Sequence, residues 1–171
     1  MLSIRPVTSQ DVELLRKISI KTFTDAFAPF NTPEDMQQYT NNNLSETRLL
    51  NEINTPGSLF YFAEKSGQVC GYLKLNTEGA QTDLKTHTDT LEIERIYVLS
   101  EFQNQKIGQY LFERSIDIAL QLGKTTLWLA VWEHNPGAIA FYKRNGLVEF
   151  GSHNFKLGDD LQTDILMKVE L

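Results

Sequence analysis

One stretch decides the fold: ERIYVLSEFQNQKIGQYLF, residues 94 to 112. Its first half reads as a buried strand and its second as the start of an amphipathic helix. Between them stand Gln103, Asn104, Gln105 and Lys106, with Gly108 just inside the helix. A helix N-terminus exposes unpaired N–H groups and the positive end of its dipole, so this junction is a natural anion seat. Composition alone does not name the anion.

Upstream, LSIRPV alternates like a strand, and Thr8 with Asp11 forms a helix-capping pair before Val12, Leu15, Ile18 and Thr22 at helical spacing. TPEDMQQYTNN and SETRLLNEI are short helices, each introduced by a capping hydroxyl. LFYFAEKSGQVCGYLKLN reads as a hairpin turning at Ser66-Gly67. The segment from Thr77 to Thr90 has no apolar period and is expected to be a loop or a frayed turn of helix. TLEIERIYVL is a strand, and the helix after it, running to Gly123, presents Ile107, Leu111, Ser115, Ile118 and Leu122 to the core.

Downstream, TTLWLAVWE is apolar on both parities, as a central strand covered on both faces should be. NPGAIAFYKRNG is a short helix with Asn135 as N-cap, Pro136 in its first turn and Gly146 as its stop. LVEFGSHNF and TDILMKVEL close the chain as strands. The order predicts a mixed α/β sheet in one domain spanning residues 1–171.

Apolar residues make up 41% and charged residues 22% of the 171, an ordinary globular balance. A net charge of −6 argues against a general binder of nucleic acid or anionic membrane, which needs a basic face. It suits a cationic substrate, and equally suits solubility alone. The lone Cys70 can form no intrachain disulfide. No apolar run approaches 18 residues and no basic-then-apolar leader precedes the first strand, so a cytoplasmic location is expected.

Three groups could carry chemistry. The junction at 103–108 lacks the glycines of a dinucleotide fingerprint, and GKT at 123–125 ends a helix instead of starting one, which excludes a P-loop. Glu92 and Glu94, two apart on a strand, share a face with each other and, by alternation, with Ile96 and Val98. They are a base, partners in a salt bridge with Arg95, or a solvated edge. Tyr142 lies on the helix face of Ala138, near Phe141, and is either a core ring or a working phenol. His87, His134, His153 and Cys70 have no metal-ligand spacing, so no metal site is expected.

FQNQKIGQYLF resembles the acyl-CoA-binding signature of the GCN5-related N-acetyltransferases, in which Gln103 takes the first position and Gly108 the last, with Lys106 where the first glycine usually stands. NPGAIAFYKRNGL is similar to a second segment of that family through Asn135, Ala138, Phe141, Tyr142 and Gly146, with Leu147 replacing a phenylalanine. TFTDAFAPFNTPEDM, LEIERIYV and LWLAVWEHN look closest to its spermidine/spermine acetyltransferase (PaiA-like) branch. The resemblance implies a mostly antiparallel sheet of about seven strands with a central splayed parallel pair, flanked by about four helices.

It also names the anion as the pyrophosphate of acetyl-CoA. The implied cosubstrate contacts are Ile96, Tyr97 and Val98 on the strand, Gln103 through Gln109 at the turn (Asn104, Gln105, Lys106, Ile107 and Gly108 between them), and Asn135, Ala138, Tyr142 and Lys143. Glu92 and Glu94 match positions that hold the base in some members, Tyr142 matches the general acid, and an N–H near Ile96 would hold the oxyanion. Glu34, Asp35, Glu92, Glu94, Trp132 and Glu133 are the acceptor-side candidates, suited to a polyamine. A peptide N-terminal acetyltransferase and a non-catalytic acetyl-CoA-binding regulator are the alternatives. Members of the family are often homodimers, and no interface is legible here.

Overall fold

A computed structural model describes every residue from Met1 to Leu171. In chain order the strands are β1 (Leu2–Pro6), β2 (Ser58–Lys65), β3 (Gln68–Thr77), β4 (Thr90–Val98), β5 (Thr126–Trp132), β6 (Val148–Leu157) and β7 (Asp160–Glu170). The helices are α1 (Val12–Phe27), α2 (Pro33–Asn43), α3 (Glu46–Ile53), α4 (Ile107–Gln121) and α5 (Pro136–Arg144), one more than expected. One sheet holds all seven strands in the order β1-β2-β3-β4-β5-β7-β6. Every pairing is antiparallel except β4 with β5, which α4 connects.

Local chemistry accounts for the boundaries. Thr8 and Asp11 form the expected capping box, ahead of a 3-10 turn that leads into α1. Thr32 and Ser45 accept from the N–H groups of Asp35 and Arg48 and cap α2 and α3. The hairpin turns at Ser66 and Gly67, both at positive φ. Leu122 departs from its expected core position: α4 ends at Gln121, so Leu122 overhangs at the cap, 47% exposed, and Ala119 fills the last core place.

Two cores sandwich the sheet. On one face Leu73, Leu75, Ile93, Leu127 and Leu129 pack under Ile107, Leu111 and Phe112 of α4 and Tyr142 of α5. On the other, Phe60, Phe62 and Tyr72 pack under Leu15, Ile18 and Phe23 of α1, Met36 of α2 and Leu49 of α3.

β4 carries a bulge at its centre. Leu75 faces Ile93 and Lys74 faces Arg95, which leaves Glu94 without an opposite residue on β3. An extra residue reverses the alternation. Leu91 and Ile93 before the bulge, and Ile96 and Val98 after it, therefore all face α4 and α5. The simple alternation expected from the sequence fails here: Ile96 and Val98 do not share the face of Glu92 and Glu94.

Candidate functional site

The β4–β5 ladder runs only from Thr90–Thr126 to Ile93–Leu129. Beyond it β5 stays paired to β7 as far as Trp132, while β4 turns away with β3. The β5-facing backbone of Glu94, Arg95, Ile96, Tyr97 and Val98 thus has no strand partner. An extended amide-bearing chain could supply the missing hydrogen bonds there.

At the outer end of this wedge the chain makes a 3-10 turn (Ser100–Phe102) and enters α4. Asn104 and Lys106 both adopt left-handed backbone, φ 61° and 62°. Lys106 is the N-cap of α4 and occupies the conformation that the family's glycine would adopt without strain, at a cost of about 1–2 kcal/mol. Gly108 needs no special φ, and a Cβ added there meets nothing within 4 Å. Gly108 is the second residue of α4, and with ordinary φ and open space around it the absence of a side chain is not required by the fold.

The other junction residues have defined partners. Gln103 donates to the Val98 carbonyl (3.3 Å), and Lys65 on the hairpin reaches Gln105 Oε1. Ile107 is a core residue. Gln109 exchanges amide hydrogen bonds with Asn145 (2.9 and 3.3 Å), locking α4 to the end of α5. At the start of α5 the Asn135 side chain accepts from the Ala138 N–H (3.2 Å), a capping pair, and Lys143 pairs with Glu149 at 3.2 Å. Tyr142 points into the α4–α5 core, its ring 6.2 Å from that of Phe112 and 5.3 Å from that of Phe141. Burial, with no bonded partner to offset it, pushes the phenol pKa well up, so it stays protonated.

The two strand carboxylates lie close together in opposite environments. Glu92 is 1% exposed and accepts from Asn76 Nδ2 (2.9 Å), the Thr82 N–H (2.8 Å) and the Thr82 hydroxyl. Burial raises its pKa despite these bonds. Glu94, at the bulge, bonds Lys74 Nζ and Asn76 Nδ2 (3.2 Å), both through Oε2, which leaves Oε1 free. Its burial would raise the pKa too, but Arg95 and Lys74 outweigh that and hold it below the ordinary carboxylate range.

The acceptor-side candidates divide. Asp35 lines an open recess of about 610 Å³ with Phe30, Asn31, Thr32, Asp159 and Asp160. It is held there by the Asp159 N–H (3.2 Å) and by the β6–β7 turn, where a Cβ on Gly158 would sit 2.2 Å from Asp35 Oδ1. Trp132 joins this region through Phe30, ring centroids 5.3 Å apart, and through Phe27 at 5.6 Å. Its indole N–H and the Gln162 carbonyl oxygen are buried without partners. Glu34 is exposed on α2 beside Asp35, and exposed Glu133 pairs with His134 at 3.4 Å. None of these four is bonded to Glu92 or Glu94; Asp35 is held by Asp159 and Trp132 packs on Phe27, Phe30 and His134.

Several residues of this region are not singled out by the sequence. Gln81, fully buried, donates to the carbonyls of Glu78, Leu84 and His87 and accepts from Thr90 and Trp128, pinning the 77–90 segment over the sheet. Lys124 fastens the same segment through Glu78 (2.6 Å) and the Thr88 carbonyl (2.7 Å), a structural task for the GKT triplet. His153 stands between Asp83 (2.5 Å) and Asp164 (3.3 Å), whose carboxylates raise its pKa to about 9. Of these, only a histidine with two aspartates at long range is a signal at all, and sequence spacing cannot pair them.

A splayed parallel pair with a helix N-terminus at its mouth is the architecture of an acyl-CoA-dependent acetyltransferase. The acetyltransferase (GNAT) family profile matches residues 18–147, and the chain belongs to that family. It is 44% identical over 170 residues to an uncharacterized N-acetyltransferase of Lactobacillus delbrueckii subsp. lactis, covering 99% of this chain and 98% of that one. It is 25% identical to a spermidine N(1)-acetyltransferase of Thermoplasma acidophilum, over 98% and 96% of the two chains. The crystal structure of the PaiA N-acetyltransferase of Thermoplasma acidophilum in complex with coenzyme A superposes with a TM-score of 0.79 at 21% identity, over 100% and 99% of the chains. The expected mixed seven-stranded fold is thus met, and the similarities agree with the expected branch. The protein is an acetyl-CoA-dependent N-acetyltransferase.

Proposed function

We propose that the acceptor is a primary amine of a small polycation, with a polyamine such as spermidine or spermine fitting best. The observation that carries this is the recess walled by Asp35, Asp159 and Asp160, with apolar Phe30 leading from it to Trp132. Three carboxylates around an open polar recess suit ammonium groups, and the one aromatic wall, Phe30, suits the methylenes between them.

Acetyl-CoA supplies the thioester, its pyrophosphate received by the free N–H groups at residues 106–109 and its pantetheine lying along Ile96, Tyr97 and Val98. At neutral pH only about one alkylamine in a few thousand is uncharged, a cost of about 4–5 kcal/mol. Glu94 is the carboxylate placed to take that proton, because it is ionised and its Oε1 is free. Glu92 holds the 77–90 segment in place. Tyr142 donates to the sulfur of the departing thiolate. Residues 1–171 act as one catalytic domain, in the cytoplasm.

Release of free CoA thiol, followed with spermidine, spermine, short diamines, monoamines and peptides with free N-termini, tests this. Polyamines should give the highest kcat/KM. Peptide preference would reassign the recess to backbone binding, and tight acetyl-CoA binding without any acceptor would make the protein a sensor.

A further inference from the structure

Lys74 lies in the middle of β3 with 5% of its surface exposed, and acetyl transfer itself makes no use of it. Its ammonium pairs with Glu94 and, at 3.2 Å, with Glu52 of α3, and it sits 5.4 Å from the centre of the Phe60 ring. Glu52 in turn receives both terminal nitrogens of Arg95, at 2.9 and 3.2 Å. Glu94, Lys74, Glu52 and Arg95 therefore close a cluster, which Arg48 of α3 joins from the more exposed side at 3.5 Å from Glu52. The other titratable groups that face Glu94 are Glu92 of β4, Tyr72 of β3 and Tyr39 of α2. Burial raises the pKa of all three, which keeps both phenols neutral.

Two features separate this cluster from an ordinary structural ion pair. A buried ionic cluster is rarely the most stable filling of a core, since apolar side chains of the same volume do as well or better. And Glu94 is the most exposed of these four, its side chain 22% exposed against 15% for Glu52, 12% for Arg95 and 6% for Lys74. Lys74 and Asn76 both hold Glu94 Oε2 and leave Oε1 without a bonded partner.

We propose that Lys74 is a positioning and specificity residue: it orients Glu94 across the bulge, and its charge keeps a second ammonium away from the reacting nitrogen. This rests on the reading of Glu94 as the carboxylate beside the acceptor amine. An acceptor whose next charge is only a few bonds from the reacting amine meets Lys74. One whose next charge is farther off can place it among Asp35, Asp159 and Asp160. Acceptors with long spacers between their amines are selected in this way.

The test compares 1,3-diaminopropane with 1,5-diaminopentane in three proteins: wild type, Lys74→Met, and Lys74→Met combined with Glu52→Gln. The double variant removes one charge of each sign and so leaves the net charge of the cluster unchanged, the variant chosen to retain the fold if Lys74→Met alone does not. Wild type should favour the longer diamine in kcat/KM. Both variants should lose that preference by roughly fivefold, the weight of one partly exposed charge pair. In parallel, carbon-13 NMR of the Glu94 carboxyl, read with no acceptor present, should show its titration moving up by about one unit without Lys74. A folded double variant with the native preference and the native Glu94 titration overturns the proposal. A wild type that acetylates neither diamine sinks the amine reading instead, and the Glu94 titration then decides on its own whether Lys74 controls this carboxylate.

Discussion

Glu92 and Glu94 share one donor: Asn76 Nδ2 lies 2.9 Å from Glu92 Oε1 and 3.2 Å from Glu94 Oε2. The bulge at Glu94 is what lets two carboxylates on one strand meet one amide from the neighbouring strand. The amide ties together groups with contrary tasks. Glu92 is sealed, its pKa raised by burial, and its oxygens are occupied by Thr82. Glu94 is ionised through neutral pH and keeps one oxygen free.

Glutamine substitutions should separate the two. Glu94→Gln removes the proposed proton acceptor and should lower kcat by roughly 10²-fold while acetyl-CoA affinity holds. Glu92→Gln leaves Glu94 in place but turns an NH₂ group toward Thr82 or Asn76, which should cost about 1–3 kcal/mol of stability. Steady-state kinetics paired with thermal melts reads both effects. Normal turnover in Glu94→Gln together with a large loss in Glu92→Gln would reverse the assignment.

Gly108→Val addresses the phosphate turn. Nothing in the chain lies within 4 Å of the added Cβ, so the melting temperature should hold. The new side chain stands where the proposed pyrophosphate seat needs bare backbone, and the acetyl-CoA Kd should rise at least tenfold, about 1.4 kcal/mol. Calorimetry on the folded variant measures this, and an unchanged Kd would move the pyrophosphate elsewhere.

His153 predicts a pH-dependent stability. Its pKa, 6.5 in the ordinary case, is raised to about 9 by Asp164 and Asp83. A raised pKa means that the ion pairs stabilise the fold fully below about pH 6.5 and that this contribution is lost as pH rises through about 9. The ring is partly exposed, so the amplitude should stay under about 1 kcal/mol. Denaturant melts from pH 6 to 10 should show the decline, and His153→Gln should flatten it. An identical slope in the variant would mean that another group titrates there.

The sequence carries the fold because each strand and helix is marked locally. Asn135, Pro136 and Gly146 bracket α5, and apolar residues on both parities mark β5 as central. The β4 bulge leaves a mark in the spacing too: Leu91 and Ile93 are two apart, Ile96 and Val98 are two apart, and the step between the pairs is three. Other features leave no local trace. Gln81 is one polar residue in a polar segment, yet five hydrogen bonds converge on it, one from Trp128, 47 residues along the chain. Lys74 in QVCGYLKL carries no local sign of its burial, because its partner Glu52 lies on a helix folded over that face.

Tyr142→Phe is the sharpest test of the chemistry, because a core ring and a working phenol predict different results from one atom. The ring packs against Phe112 and Phe141, and phenylalanine keeps that packing, so the melting temperature and acetyl-CoA affinity should hold. If the phenol serves the leaving thiolate, its loss should lower the chemical step by about 10²-fold, the low end of general-acid effects. Its mode of action follows from the pKa order. An ordinary thiol ionises near 8.5 and an ordinary phenol near 10, and burial pushes Tyr142 higher still. Full proton transfer to the thiolate is therefore uphill, by about 2 kcal/mol even for an unperturbed phenol. The hydroxyl acts instead as a strong hydrogen-bond donor to sulfur as charge develops. No alkaline limb from phenol ionisation should appear below about pH 10, so kcat/KM should climb with pH as the amine loses its proton, in wild type and variant alike. Single-turnover measurements isolate acetyl transfer from product release, which could otherwise mask the defect. A variant that transfers acetyl at the native single-turnover rate would return Tyr142 to the core.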